Sequence, residues 1–115
     1  MEPGGAAKAV SQLRRGVLEF CVLALLRDGE RYGVELIREL GAVDAMVTSE
    51  GTIYPLLSRL RKDSLVDSVW RESPAGPPRR YYRLTTAGVR ALDEFTAEWK
   101  QFRDAVEYFV STSGG

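Results

Sequence analysis

The side chains best suited to chemistry lie between residues 49 and 62: Ser49, Thr52, Tyr54, Ser58, Arg59 and Lys62, with Pro55 among them. They are hydroxyls, an aromatic ring and cations. Such groups hydrogen-bond and attract negative charge, which suits the edge of a DNA groove. They do not make a catalytic centre. The chain has no histidine, no Gly-rich phosphate loop and no Ser or Cys beside a base, and Asp93 and Glu94 read as a solvated helix face. The single cysteine, Cys21, sits in an apolar run and reads as a small core residue, with no disulfide partner. No His/Cys spacing can hold zinc, so no metal and no cofactor is expected, and the chain is not expected to be an enzyme.

Charge distribution supports the same chemistry. The formal net charge of the 115 residues is zero, but it is unevenly placed. Residues 1–51 carry six Lys/Arg and eight Asp/Glu, residues 52–91 eight and three, and residues 92–115 two and five. The cations gather in the middle third, and attraction to phosphates depends on such a local patch rather than on the total.

These groups need elements to present them. Ile53, Leu56, Leu57 and Leu60 recur at three- and four-residue spacing, so they share one face of a helix. Thr52, Tyr54, Pro55, Ser58, Arg59 and Lys62 are left for the other faces, a surface without a carboxylate. Ser49 is a good N-cap and Glu50 suits the first turn. Pro55 is tolerated only near a helix start, so regular helix is expected to begin nearer Thr52 or to bend there. Upstream, residues 33–40 form a shorter helix with Val34, Ile37 and Leu40 on one face and Gly41 as its stop. Residues 42–48 are the turn between the two.

Residues 65–72 and 79–85 are strand-like and flank Ser73-Pro-Ala-Gly-Pro-Pro. They read as a hairpin with a loop too long for a two-residue turn, with Arg71, Arg79, Arg80 and Arg83 crowding its flanks. One of Tyr81 and Tyr82 faces inward and the other outward. Residues 11–27 form the first helix, apolar nearly all round apart from Glu19, and so covered on more than one side. Residues 86–110 form the last, and on it Leu92, Phe95, Trp99, Phe102, Val106 and Phe109 follow a 3-4-3-4-3 spacing. That stripe holds too much apolar surface to leave in water. The expected organisation is a disordered tail over 1–10, a winged helix-turn-helix DNA-binding domain over 11–85, a C-terminal dimerisation helix over 86–110 and a disordered tail over 111–115. The fold class is mainly α with a β-hairpin wing. No stretch reads as a signal peptide or is long enough to span a bilayer, so a cytoplasmic protein with no membrane partner is expected.

Several segments resemble the PadR-like transcriptional regulators: Leu13-Arg-Arg-Gly-Val-Leu-Glu, Arg31-Tyr-Gly-Val-Glu-Leu-Ile, Ser49-Glu-Gly-Thr-Ile-Tyr-Pro-Leu-Leu-Ser-Arg-Leu, and Gly76-Pro-Pro-Arg-Arg-Tyr-Tyr-Arg-Leu-Thr, followed by Gly88. The Gly-Thr-Ile-Tyr-Pro block is the most specific, and the single C-terminal helix looks like the short-tail branch. The resemblance implies a homodimeric repressor on a palindromic promoter site, released by a small molecule. It implies a dimer through the first and last helices, with Leu13 and Val17 beside the C-terminal stripe. It places Thr52, Tyr54 and Pro55 at the DNA-facing start of the reading helix and Arg79 and Arg80 on the wing. In a related drug-sensing branch, aromatic ligands stack on a tryptophan of the last helix. Trp99 lies comparably, with Phe95 and Phe102 as walls for a planar effector. Two positions depart from the family pattern: Val34 replaces an aromatic, and Asp63-Ser64 replaces an acidic-Gly pair. If position 64 needs a positive φ, serine strains that turn. The competing expectations are a winged-helix adaptor for a protein partner and a ligand-sequestering dimer, both without DNA binding. A steep salt dependence of DNA binding separates them from a regulator.

Overall fold

The computed structural model describes the backbone of residues 5–114 and side chains from residue 8 to 111. The chain runs α1 (Gly5–Arg27), β1 (Arg31–Tyr32), α2 (Gly33–Gly41), a 3-10 turn (Asp44–Met46), α3 (Glu50–Lys62), β2 (Val66–Ser73), β3 (Gly76–Leu84) and α4 (Thr86–Gly114). It is a winged helix-turn-helix with an added C-terminal helix. The strands form one antiparallel sheet in the order β1-β3-β2.

The core sits where α1, α2 and α3 meet the inner face of the hairpin. Leu18, Val22, Leu23 and Leu26 come from α1, Leu36 and Leu40 from α2, and Ile53, Leu56, Leu57 and Leu60 from α3. Val66, Tyr82 and Leu92 close it from the sheet and α4. Tyr82 is therefore the inward tyrosine of the pair, and Tyr81, paired with Val69 and Tyr32, lies on the opposite face.

The structure departs from the sequence pattern in several places. On α2 the inward side chains are Leu36 and Leu40, while Val34 is 41% exposed. A four-residue step keeps Leu36 and Leu40 on one face, and Gly33 joins it without a side chain. The hairpin loop is short: Ser73 pairs with Gly76, leaving Pro74 and Ala75 as the turn. Arg71 pairs with Arg79, so Pro77 and Pro78 together oppose Glu72 and form a bulge. A bulge is where a strand accepts prolines, because the residues there donate no ladder hydrogen bond. β1, too short to show a period, is a strand the sequence did not announce. Its two residues pair with Tyr81 and Tyr82.

Helix ends also differ. α1 begins at Gly5 rather than near Ser11, since Ala6, Ala7, Lys8 and Ala9 favour helix and nothing stops it. The expected N-terminal tail otherwise falls on residues 1–4, outside the described residues. α4 continues past residue 110 to Gly114, and Gly115 lies outside the described residues. α3 starts at Glu50, so Pro55 lies within it. Ser49 occupies the N-cap position, but its hydroxyl makes no bond to the helix backbone. Its carbonyl instead accepts from the Thr52 and Ile53 amides.

The C-terminus of α3 shows why position 64 matters. The Leu65 amide donates to the Leu60 carbonyl and the Ser64 amide to that of Arg61, the double closure of a Schellman motif. That motif puts its first residue beyond the cap in the left-handed region, and Ser64 has φ 62°. Thr85 secures the same corner. Its hydroxyl donates to the Ser64 carbonyl at 2.6 Å and accepts from the Gly88 amide at 3.0 Å, capping α4. Gly88 has no room for a side chain, because a Cβ there would stand 2.1 Å from the Leu65 carbonyl oxygen. Ser64→Gly is expected to stabilise the fold by about 1 kcal/mol, since a left-handed residue other than glycine costs about that much. A thermal melt should rise by roughly 4 °C. An unchanged or lower midpoint would mean the serine is not strained.

Candidate nucleic-acid interface

Burial of Ile53, Leu56, Leu57 and Leu60 sets how α3 is turned about its axis. At about 100° per residue, the direction opposite that face holds Gly51, Pro55, Ser58 and Lys62. All four are exposed. Tyr54 and Arg61 flank the crest on one side, Thr52 and Arg59 on the other. Of the sequence-predicted set, Thr52, Tyr54, Pro55, Ser58, Arg59 and Lys62 share α3 over about half its circumference, Ser49 is its N-cap, and Arg79 and Arg80 lie on β3. Arg61 belongs with it and was missed, although it lies in the same acid-free stretch.

Tyr54 is placed by α2. A Cβ on Gly33 would stand 2.5 Å from Tyr54 Cε1 and 2.6 Å from its hydroxyl oxygen, so the ring lies directly across Gly33. This explains the Arg31-Tyr-Gly triplet. Arg31 ion-pairs with Glu39, and its Nη1 donates to the Leu25 and Gly29 carbonyls, tying the end of α1 to α2. The Tyr32 amide donates to Glu35 at 3.1 Å and starts α2. Gly33 leaves the space that Tyr54 fills. Partial burial, then the nearby Glu50 and Tyr82, push the Tyr54 phenol above its ordinary pKa. It therefore stays a neutral hydroxyl at physiological pH, able to donate and accept.

The hairpin arginines divide into two kinds. Arg71 is held by Glu30 at 2.6 Å, and Arg83 by Asp67 at 2.6 Å. Arg79 and Arg80 have no carboxylate partner among the described residues. Arg79 stands over the Tyr32 ring at 4.6 Å and Arg80 over Trp70 at 5.0 Å, both within cation–π range. The Arg80 Nε is buried without a hydrogen-bond partner. Trp70 is 62% exposed and, with Tyr54, Arg79 and Arg80, lines a crevice of about 290 Å³ between wing and helices. An exposed tryptophan on a strand reads as core from sequence alone, so its place here was not foreseen. On the other flank Arg59 is not free: Glu19 of α1 holds it at 3.3 Å. That contact also explains the lone acid in the apolar run of α1.

The C-terminal stripe divides as well. Leu92 is buried in the core of the chain, which leaves it little surface to offer a partner. Phe95 stacks flat on Phe20 of α1 at 3.8 Å, Trp99 follows at 5.8 Å and Phe102 at 6.3 Å. Phe20, hidden in a continuous apolar run, gave no separate signal. Beyond Trp99, Phe102, Val106 and Phe109 are exposed, as are Leu13 on α1 and Tyr108 and Val110 on α4. Val17, Cys21, Phe95 and Trp99 line an apolar groove between α1 and α4. Cys21 is half-buried rather than in the core, and burial pushes its thiol up, which disfavours the reactive thiolate. Among the described residues no group of three or more His, Cys, Asp or Glu could hold a metal, and no helix is long and apolar enough to cross a membrane.

Residues 22–94 match the family described as Transcriptional regulator PadR-like. The chain belongs to the PadR-like family. Transcriptional regulator Rv3488 of Mycobacterium tuberculosis is 39% identical to this PadR-like chain over 83 residues, spanning 72% of this chain and 76% of its own length. The crystal structure of a PadR family transcriptional regulator from Eggerthella lenta DSM 2243 is 36% identical and has a TM-score of 0.83, covering 93% of each chain. A PadR-like transcriptional regulator from Bacillus cereus strain ATCC 14579 is 37% identical, with a TM-score of 0.77 over 86% of this chain and 96% of its own. The protein is a PadR-like transcriptional regulator that acts on DNA and is not an enzyme.

In this regulator Gly33 and Tyr54 form one packing unit. Gly33→Ala is expected to destabilise the fold by about 1–3 kcal/mol, the usual range for overpacking. Much of that loss should disappear in a Tyr54→Ala background, where the space is open. A denaturant double-mutant cycle measures the coupling, and additive losses would show that the ring does not need the glycine.

Proposed function

We propose that the chain is a homodimeric repressor that binds a palindromic promoter site and leaves it when a small planar effector enters the dimer. Residues 11–85 act as the DNA-binding unit and residues 86–110 as the dimerisation helix. The observation carrying the DNA assignment is the division among the hairpin arginines. Arg71 and Arg83 are neutralised by carboxylates, while Arg79 and Arg80 are left to phosphate beside an acid-free helix crest. Ser49, Thr52, Tyr54, Pro55, Ser58 and Lys62 meet the groove edge. Arg59 joins them when it exchanges Glu19 for phosphate.

Dimerisation rests on the exposed apolar surface of α1 and α4. Leu13 is 64% exposed, Phe102 59% and Phe109 67%, more large apolar side chain than one small subunit leaves in water. Val17, Val106, Phe95 and Trp99 continue that surface. In a two-fold dimer each recurs across the axis, so two reading helices can address half-sites about 34–36 Å apart. Trp99, next in the stack after Phe95, offers a flat ring to a planar effector, with Phe95 and Phe102 beside it.

Two measurements test this reading. Arg79→Ala combined with Arg80→Ala should weaken binding to any duplex and make the slope of log K against log salt shallower by about 2. An unchanged slope removes the wing from the interface. Phe102→Asp changes a side chain exposed in one subunit, so it should yield a folded monomer by light scattering and circular dichroism. A parent protein that is itself monomeric would end the dimer assignment.

A further inference from the structure

One motif is not absorbed by the reading face: the arginine pair of Leu13-Arg-Arg-Gly. Ser11, Arg14, Arg15 and Leu18 fall at i, i+3, i+4 and i+7, so they form one stripe of α1. Leu18 is buried in the core, and the stripe therefore runs out of the core toward the start of α3. There it meets Thr48, Ser49 and Thr52 across an open crevice of about 420 Å³. No carboxylate among the described residues lines this crevice.

The groups in it are held ready and have no anionic partner among the described residues. Arg14 Nε donates to the Ala45 carbonyl at 2.6 Å, which anchors the side chain to the 3-10 turn and leaves its terminal nitrogens. Arg15 is exposed, and neither arginine takes part in an ion pair among the described residues. Glu19, one turn along from Arg15, is engaged by Arg59. Glu50 is two residues from Thr52, about 200° around α3, so it points away. The Ser49 hydroxyl makes only a 3.5 Å contact to Thr52 Oγ1.

We propose that this crevice receives a phosphodiester of the DNA backbone, clamped by Arg14 and Arg15 and hydrogen-bonded by Ser49, Thr48 and Thr52. Guanidinium forks and hydroxyls are the usual partners of backbone phosphates. The crevice is open rather than enclosed, which admits a continuous strand. It shares Ser49 and Thr52 with the reading helix, so a duplex seated on Pro55, Ser58 and Lys62 has a strand beside it. The clamp rests on the reading face proposed above and extends it to the opposite flank from the wing.

The test is binding of mixed-sequence duplex DNA across a potassium chloride series. Arg15→Ala should make the salt slope shallower by about 0.9, with the same proportional loss on every sequence. Arg15→Lys should restore the slope, and Arg90→Ala, the same charge change on α4, should leave it unaltered. A parental slope in Arg15→Ala, while the Arg79→Ala/Arg80→Ala protein loses slope, overturns the clamp and leaves the reading face standing. A parent that binds no duplex overturns both. Inorganic phosphate added alone should shift the thermal midpoints of parent and Arg15→Ala equally. Stabilisation of the parent only would make the crevice a free-anion site and overturn its assignment to DNA.

Discussion

The seating of α3 on the core is the constraint on which the rest depends. Ile53, Leu57 and Leu60 are fully buried and Leu56 nearly so. Burying each such side chain contributes about 1.5–3 kcal/mol, so together they dominate the choice of rotation about the helix axis. With that rotation set, the crest of Gly51, Pro55, Ser58 and Lys62 can only face outward. Leu36 and Leu40 of α2, Val66 and Tyr82 of the sheet, and the inner stripe of α1 are the surfaces that receive α3. The interface therefore follows from the core. A side chain that weakened the inner face would also misdirect the outer one.

Electrostatics works on the same scaffold by subtraction. A net charge of zero leaves no general attraction to DNA, so the placement of the acids decides which cations remain available. Glu39, Glu30, Asp67 and Glu19 occupy Arg31, Arg71, Arg83 and Arg59. Arg31 and Glu39 are partly buried and also tie α1 to α2, whereas the three more exposed pairs add little stability and act mainly on the field. Arg79, Arg80, Arg14 and Arg15 remain outside any pair among the described residues. They lie on the two flanks of one helix. Glu19 makes Arg59 a conditional member, and its neighbour Phe20 stacks on Phe95. The same turn of α1 thus touches both the reading helix and the aromatic groove.

The long α4 has two regions with different neighbours. Its start is locked into the core through Thr85, Gly88 and Leu92. Past Trp99, Phe102, Val106, Tyr108 and Phe109 are exposed. The molecule is correspondingly elongated, 56 Å along its longest axis. That exposed apolar surface is where the second copy of the proposed dimer would pack, and association of that kind is a common support for a core this small.

The sequence alone determined what local periodicity and local chemistry encode. Three- and four-residue spacing identified α3 and its inward face, and the same spacing identified α4. The family resemblance, with serine in place of a glycine at position 64, pointed to the left-handed backbone found there. The basic middle third pointed to the region proposed as the interface. Tertiary structure decided everything that depends on which segment lies opposite which. Leu36 replaced Val34 on the inner face of α2 because a short helix allows more than one apolar stripe. The hairpin turn tightened to two residues because a bulge could absorb the prolines, a matter of register between strands. Glu19 and Arg59 are 40 residues apart, and only folding makes one the other's partner. The glycine of Arg31-Tyr-Gly is explained by a ring that arrives from α3. Spacing along a chain records which faces are apolar, but the pairing of faces and charges is a property of the packed whole, where distance in space replaces distance in sequence.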